Sequence, residues 1–465
     1  MSSSPRVYLE TLGCEKNLVD SQAAMGLLQQ RGFRPVEDPE DAELVVLNTC
    51  GFLAAARDES MERIRELALL KGDAKFVVMG CFVQGQTHPI LELVPQVDHV
   101  LGVGQYDKLE ELFRQKTVDF PLAAPEEAPY AGYGVRSPGR LRHVAHIKIA
   151  EGCNQSCSFC KIPALRGKQR SRPVEQIVQE ARALVAGGVR ELILISQNSS
   201  AYGVDLPNKP RLGELCRALD AIEDLRWIRI MYAYPPMFSD ELMNEVYQVE
   251  KVVSYLDIPI QHASPRILKA MGRGYDPERL RRQIERLRQL RPEIMLRTTA
   301  LLGFPGEEED DVVALLDFLA EVSFDHLVTF AYSHEEQTSA YALADTIDPA
   351  EKEDRRARVE DLAWDLALER KGRLLGKKLS VVVDEVYENA ADADLSTLPL
   401  DIAEELEEDQ PVAFARSEGF CEGIDGGIWL AGEGLSPGQM LDVVPKFCGP
   451  YDLWAHAGDQ AGRLA

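Results

Sequence analysis

Three thiols fall within ten residues, Glu151-Gly152-Cys153-Asn154-Gln155-Ser156-Cys157-Ser158-Phe159-Cys160. Soft thiolates at the spacing Cys-x3-Cys-x2-Cys select iron–sulfur clusters or zinc. A structural zinc site takes a fourth Cys or His nearby, and none occurs from Lys161 to Arg172. Three local ligands on a cubane cluster would leave one iron open to an outside ligand, which is what a reductive, radical-generating centre needs. A second set, Cys14, Cys50 and Cys81, is widely spaced, but each cysteine ends or closely follows a short apolar run. In a parallel sheet those strand ends share one edge, where ligands bind. Gly13, Gly51 and Gly80 adjoin these cysteines and would let the backbone approach a bulky group. Three buried cysteines packing as small hydrophobes are the other reading.

The elements that must position these residues follow from the pattern. Val7–Thr11, Leu44–Leu47, Phe76–Met79 and Val97–Val103 read as strands, with helical patterns at Val19–Arg31 and Leu53–Leu70. Continuously apolar strands between helices predict a doubly wound parallel sheet over residues 1–115. Prolines and glycines break periodicity over 116–140, a predicted linker. From 141 to 345 six candidate strands alternate with helices. They are Val144–Ala150, Glu191–Ser196, Trp227–Tyr232, Tyr255–Ile260, Ile294–Leu302 and His326–Tyr332, and they predict a partial (β/α) barrel with its working loops at strand C-termini. Spacing alone fits an open sheet as well. A charged helix over 346–375 leads to short alternating strands at 376–446, expected to form a small β-barrel, and 447–465 reads as a tail.

Composition narrows the function classes. The 465 residues carry 51 basic and 76 acidic side chains, a net charge of −25. From Gly376 to Ala465 there are 18 acidic and 5 basic residues, a local balance of −13. Such charge repels phosphate backbones and attracts a basic protein. No apolar run approaches the roughly 20 residues needed to span a bilayer. The N-terminus lacks a secretory pattern, so a cytoplasmic protein is expected. Nine cysteines, an odd number, argue against a disulfide framework.

The cysteine loop, with Phe159 before its third cysteine, resembles that of the radical S-adenosylmethionine family. There, three such cysteines hold a 4Fe–4S cluster that chelates the cofactor. Gly13-Cys14-Glu15-Lys16-Asn17-Leu18-Val19-Asp20-Ser21, Asn48-Thr49-Cys50-Gly51-Phe52 and Gly80-Cys81 resemble the N-terminal domain of the methylthiotransferases, and the C-terminal strands resemble their TRAM domain. The resemblance implies two 4Fe–4S clusters, on Cys14/Cys50/Cys81 and on Cys153/Cys157/Cys160. It also implies S-adenosylmethionine held with help from Phe159, Gln197, Arg297 and Gly303, and an external electron donor and sulfur source. The wording after Cys14 is similar to the RimO-type branch, which methylthiolates the β-carbon of an aspartate in small-subunit ribosomal protein S-twelve. The implied partner is a basic ribosomal protein, free or within the small subunit, rather than tRNA or membrane, and a monomer is expected. Alternatives are the same chemistry on a tRNA adenosine, and a non-enzymatic iron–sulfur or zinc assembly factor.

Other features are weaker. Lys161, Arg166, Lys168, Arg170 and Arg172 would either hold an anionic group or form a solvated loop. His262 would line a pocket or be a hydrogen-bonded structural residue, the commoner case. The turn Leu302-Gly303-Phe304-Pro305-Gly306-Glu307 would admit the cofactor or simply be a turn. Cys216, Cys421 and Cys448 read as non-ligands. The chain departs from the family pattern at Glu15, at Ser196-Gln197-Asn198-Ser199-Ser200 and at Phe420-Cys421-Glu422.

Overall fold

In the computed structural model, which describes residues 4–114, 122–127, 130–398, 402 and 406–458, the first apolar runs are strands buried on both faces. β1 (Arg6–Thr11), α1 (Glu15–Gln30), β2 (Arg34–Pro35), β3 (Leu44–Thr49), α2 (Ala54–Leu70), β4 (Lys75–Gly80), α3 (Cys81–Leu93), β5 (His99–Leu101) and α4 (Leu109–Arg114) follow in chain order. The strands pair in parallel in the order β2-β1-β3-β4-β5. Side-chain alternation along β3 serves both layers. Leu44 and Val46 join the core beneath α1, while Val45 and Leu47 join the one beneath α2 and α3.

The central region runs β6 (Val144–Lys148), β7 (Ala150–Glu151), α5 (Ile162–Arg166), β8 (Arg170–Ser171), α6 (Val174–Ala186), β9 (Glu191–Ile195), α7 (Leu212–Asp220), β10 (Trp227–Ile230), α8 (Asp240–Tyr247) and β11 (Tyr255–Asp257). It continues with α9 (Pro265–Ala270), α10 (Pro277–Leu290), β12 (Met295–Leu302), α11 (Glu309–Val322), β13 (His326–Ala331) and α12 (Pro349–Gly372). Two parallel three-stranded sheets, β10-β9-β6 and β11-β12-β13, are joined by backbone bonds from Val253 N–H to the Ile228 carbonyl (3.0 Å) and from Ala233 N–H to the Asp257 carbonyl (2.9 Å). The result is a six-stranded partial barrel. Along β9, Leu192 and Leu194 pack outward with the helices while Ile193 and Ile195 pack inward, the period-two arrangement of a strand covered on both faces.

The C-terminal strands β14 (Leu379–Tyr387), β15 (Val412–Ser417), β16 (Ile428–Ala431), β17 (Met440–Val443), β18 (Phe447–Cys448) and β19 (Leu453–His456) form a curled sheet in the order β17-β14-β15-β16-β19-β18. It covers the N-terminal ends of the barrel strands. Buried Arg416 donates to Glu191, the first residue of β9 (2.8 Å), and Arg229 donates to Glu191 and to the Glu418 carbonyl, both at 2.8 Å.

Two boundary expectations change. The stretch read as a linker is packed where it is described: Tyr133 is buried and donates to Asp20 (3.1 Å), and Arg136 pairs with Glu180 on α6 (3.1 Å). The predicted tail from 447 contributes β18 and β19, with β19 parallel to β16 and Trp454 buried. Between them Gly449-Pro450 forms a turn closed by Gly449 N–H on the Asp452 carbonyl (2.7 Å). Parts of both stretches, residues 115–121, 128–129 and 459–465, lie outside the described residues.

Candidate metal centre at the domain interface

The topology brings the scattered cysteines to one sheet edge. Cys14 ends the loop after β1 and precedes α1, Cys50 follows β3, and Cys81 opens α3 directly after β4. Two asparagines tie these loops together. Asn17 donates to the carbonyls of Leu12 (2.9 Å) and Thr49 (3.0 Å), while Asn48 donates to the Asn17 carbonyl (2.9 Å) and to Ser21 (3.0 Å). The glycines serve this convergence. Gly13 has φ of +88°, and a Cβ there would lie 2.7 Å from Cys50 Cβ. At Gly51 it would lie 2.6 Å from the Phe82 backbone. Their missing side chains therefore let the cysteine loops meet one another.

The second triad lies in the loop between β7 and α5. Ser158 N–H donates to the Met271 carbonyl and Ala340 N–H to the Ser158 carbonyl (2.9 and 2.8 Å), pinning the loop across the barrel mouth. Backbone amides of Gln155 and Ile162 point at the sulfurs of Cys153 and Cys160, each at 3.5 Å. Arg273 Nη1 approaches Cys157 Sγ at 3.6 Å while its guanidinium lies 4.8 Å from the Tyr234 ring centroid. Phe159 packs against the buried cluster of Ile267, Met271, Leu301 and Phe304.

Burial pushes the Cys81 thiol up to about 11 and the Cys160 thiol up to about 12, and raises Cys50 and Cys153 too. Ligation at either triad must therefore displace protons. Among the described residues no three Cys, His, Asp or Glu side chains already lie within reach of one metal ion, so neither triad is a preformed mononuclear site. Both donor sets are all thiol and receive N–H donors at sulfur, chemistry that fits an iron–sulfur cluster.

A buried ionic seam joins the triads. Lys148 Nζ donates to Asp20 and Glu151, both at 2.6 Å. Arg166, at the end of α5, donates to Glu151 (2.8 Å), Asn17 Oδ1 (2.6 Å) and Asp20 (3.4 Å), and its Nε lies 3.3 Å from Cys81 Sγ. Burial opposes charge on Lys148, yet Asp20 and Glu151 hold it up at about 12. Burial likewise opposes ionised Glu151, but Arg166 and Lys148 keep its carboxyl below the usual range. A second seam centres on buried Glu335, which accepts from Ala54 N–H and Arg57 (both 2.7 Å) and from Lys161 (3.2 Å). Between the two triads a small cavity of about 20 Å³ is lined by Gly51, Phe82, Lys161 and Leu165; the first three each adjoin a cysteine.

The remaining expectations divide. Lys161, Arg166 and Arg172 are buried and paired, while Lys168 is exposed. Gln197 donates to Glu151 (2.8 Å), beside the cysteine loop, and its own carbonyl oxygen is buried without a hydrogen-bond partner. Arg297 is not brought to the loop. It pairs with Asp257 (3.4 Å) and, from the C-terminal module, Asp425 (3.3 Å), deeper in the barrel. Gly303 faces α12, where a Cβ would meet Lys352 Cγ at 2.4 Å, so helix packing accounts for this glycine. His262 is structural: it accepts from Ala263 and Ser264 N–H (2.9 and 3.0 Å) and lies 3.4 Å from Glu307. Cys216 and Cys421 are buried away from both triads, Cys421 against Met231 sulfur at 3.8 Å. Sequence reasoning missed Asp20, Lys148, Glu151, Arg273 and Glu335. The signal available was charge inside otherwise apolar or cysteine-flanking segments, since a buried charge needs a partner.

Residues 6–102 match the family described as Uncharacterized protein family UPF0004, and residues 147–319 match the Radical SAM superfamily. The chain is 41% identical to the ribosomal protein uS12 methylthiotransferase RimO of Anaeromyxobacter sp. (strain K), over 96% of this chain and 92% of that one. To the RimO of Clostridioides difficile (strain 630) it is 35% identical over 99% and 100% of the two chains. Among solved structures, the radical S-adenosylmethionine methyltransferase TsrM from Kitasatospora setae aligns over 87% of this chain and 83% of its own, with a TM-score of 0.52 at 16% identity. That likeness is one of fold.

Proposed function

The chain belongs to the RimO family of ribosomal protein uS12 methylthiotransferases, and from that premise we propose that it adds a methylthio group to the β-carbon of an aspartate in uS12. It is a radical S-adenosylmethionine enzyme. Cys153, Cys157 and Cys160 would hold the 4Fe–4S cluster of that family, and Cys14, Cys50 and Cys81 a second one. The β-carbon of an aspartate offers no usable acidity at C–H, so acid–base side chains alone cannot activate it. Bound in the barrel mouth, the cluster and S-adenosylmethionine supply the radical chemistry such a bond requires.

The observation that carries this reading is the convergence of two all-thiol triads on one interface, fastened by Arg166, Lys148, Asp20 and Glu151. One triad serves hydrogen abstraction and the other sulfur delivery, so both must open on the same substrate carbon. The chain's own residues fix that spacing. Asn17 and Asn48 hold the N-terminal loops, and the ionic seam resists sliding of one domain on the other. Electron donor and sulfur source come from outside. The C-terminal balance of −13 favours a basic protein over an RNA backbone. We read the protein as cytoplasmic, since its substrate belongs to the ribosome, and as a monomer. No helix among the described residues is long and apolar enough to cross a membrane.

The test is mass spectrometry of uS12 and of total tRNA from a strain lacking this gene and from the same strain complemented with it. A methylthio mass increment on a uS12 aspartate that disappears and returns supports the reading. A change confined to a tRNA adenosine overturns it.

A further inference from the structure

We infer that Arg166 is a positioning residue that sets the geometry and reduction potential of the N-terminal cluster from across the domain boundary, which deepens the two-cluster reading above and rests on it. Arg166 ends α5, the helix that starts two residues after Cys160, so it belongs to the radical loop's own segment. Its side chain is only 2% exposed, yet its Nε is aimed at Cys81 Sγ at 3.3 Å. Its reach extends to the other two cysteine loops through one neighbour. Arg166 Nη2 donates to Asn17 Oδ1 at 2.6 Å. The amide nitrogen of Asn17 holds the carbonyl of Leu12, two residues before Cys14, and that of Thr49, directly before Cys50. One guanidinium thus braces all three ligand loops.

Its charge matters as much as its shape. Lys148 and Arg166 balance Asp20 and Glu151 before any cluster is present. Three thiolates around an iron–sulfur core add negative charge, and Arg166 is a cation in hydrogen-bonding contact with one of them. Hydrogen bonds and positive charge at a cluster sulfur stabilise the reduced state and raise the potential. Asp20, 3.4 Å from the same guanidinium, must act in the opposite sense.

The experiment uses the full chain with Cys153, Cys157 and Cys160 replaced by alanine, so that only the N-terminal triad is loaded. Iron content and an EPR-monitored redox titration are read for this parent and for added Arg166→Gln, Arg166→Lys and Asp20→Asn. Each is expected to hold about four irons per chain. The midpoint should fall in Arg166→Gln, fall less in Arg166→Lys, and rise in Asp20→Asn. A merely structural role would lower cluster content without moving the potential in opposite directions. A loaded Arg166→Gln protein with the parent's midpoint overturns the inference. If Arg166→Gln fails to load, Arg166→Lys and Asp20→Asn decide it, and unchanged midpoints in both overturn it. A parent that binds no iron while Arg166 is intact overturns the two-cluster reading itself, and this inference with it.

Discussion

The two cysteine triads solve one problem in opposite ways. The radical triad is local: a single loop supplies all three thiols, and Arg273, from the same domain, approaches Cys157 at 3.6 Å. The N-terminal triad is assembled from three strand ends, with its cysteines 36 and 31 residues apart. Its arginine, Arg166, arrives from the neighbouring domain. A local loop carries its ligands wherever the barrel goes. A composite site exists only while the parallel sheet is in register and the domain seam is closed. The N-terminal triad should therefore be the more sensitive of the two to mutations outside its ligands.

The largest expected effect removes ligands outright. Cys153→Ala should abolish reductive cleavage of S-adenosylmethionine, while Cys50→Ala should leave cleavage measurable and stop methylthio transfer. Iron in reconstituted protein should drop from about eight to about four per chain in either case. Chromatography of 5′-deoxyadenosine beside mass spectrometry of the substrate separates the two steps. If Cys50→Ala eliminates 5′-deoxyadenosine in a folded protein, the triads do not divide the work.

Next in size is the seam. Lys148 is fully buried and bonded to carboxylates on both sides of the boundary. Lys148→Met leaves Asp20 and Glu151 sharing one cation, and breaking a buried pair in this way costs about 3–5 kcal/mol. Denaturant unfolding should show that loss, and iron should be lost first from Cys14/Cys50/Cys81. Equal loss from both triads would mean that the radical loop depends on the seam as much as the composite site does.

What could be read in advance tracks this same division. The Cys153–Cys160 loop is a linear motif, so its candidate ligands and the strand before it were legible from spacing. The N-terminal triad was legible only through the rule that parallel strands end on one edge. The glycines beside it were legible as close-approach positions, but not as gaps filled by Cys50 and Phe82. The seam was not legible, because Asp20 and Lys148 lie 128 residues apart and periodicity says nothing about which charge faces which. For the same reason the sequence did not show that Arg297 pairs with Asp425 or that Gly303 faces Lys352. Of the C-terminal acidic residues behind the balance of −13, Glu407, Glu408 and Asp409 are exposed, while Glu404 and Glu405 lie outside the described residues. The described part of the C-terminal module sits at the end of the barrel away from both triads.

The smallest expected effect probes the composite site most finely. Tyr232 follows β10 at the barrel mouth with φ of +64°, a conformation side chains rarely adopt. Its hydroxyl donates to Glu15, the residue after Cys14, and Lys16 Nζ lies 3.1 Å from its ring centroid. Glu15 is also one of the positions where this chain departs from the family pattern. Its carboxylate thus supplies a side-chain tether between the Cys14 loop and the barrel. Tyr232→Phe keeps the ring under Lys16 and removes only the hydroxyl. The loss should be about 1.5–3 kcal/mol, that of a hydrogen bond to a charged group. Chelator-driven iron release should then quicken several-fold from the N-terminal triad, with the rate from the radical triad unchanged. Release that quickens equally from both, or from neither, would show that the Cys14 loop is held by its own domain alone.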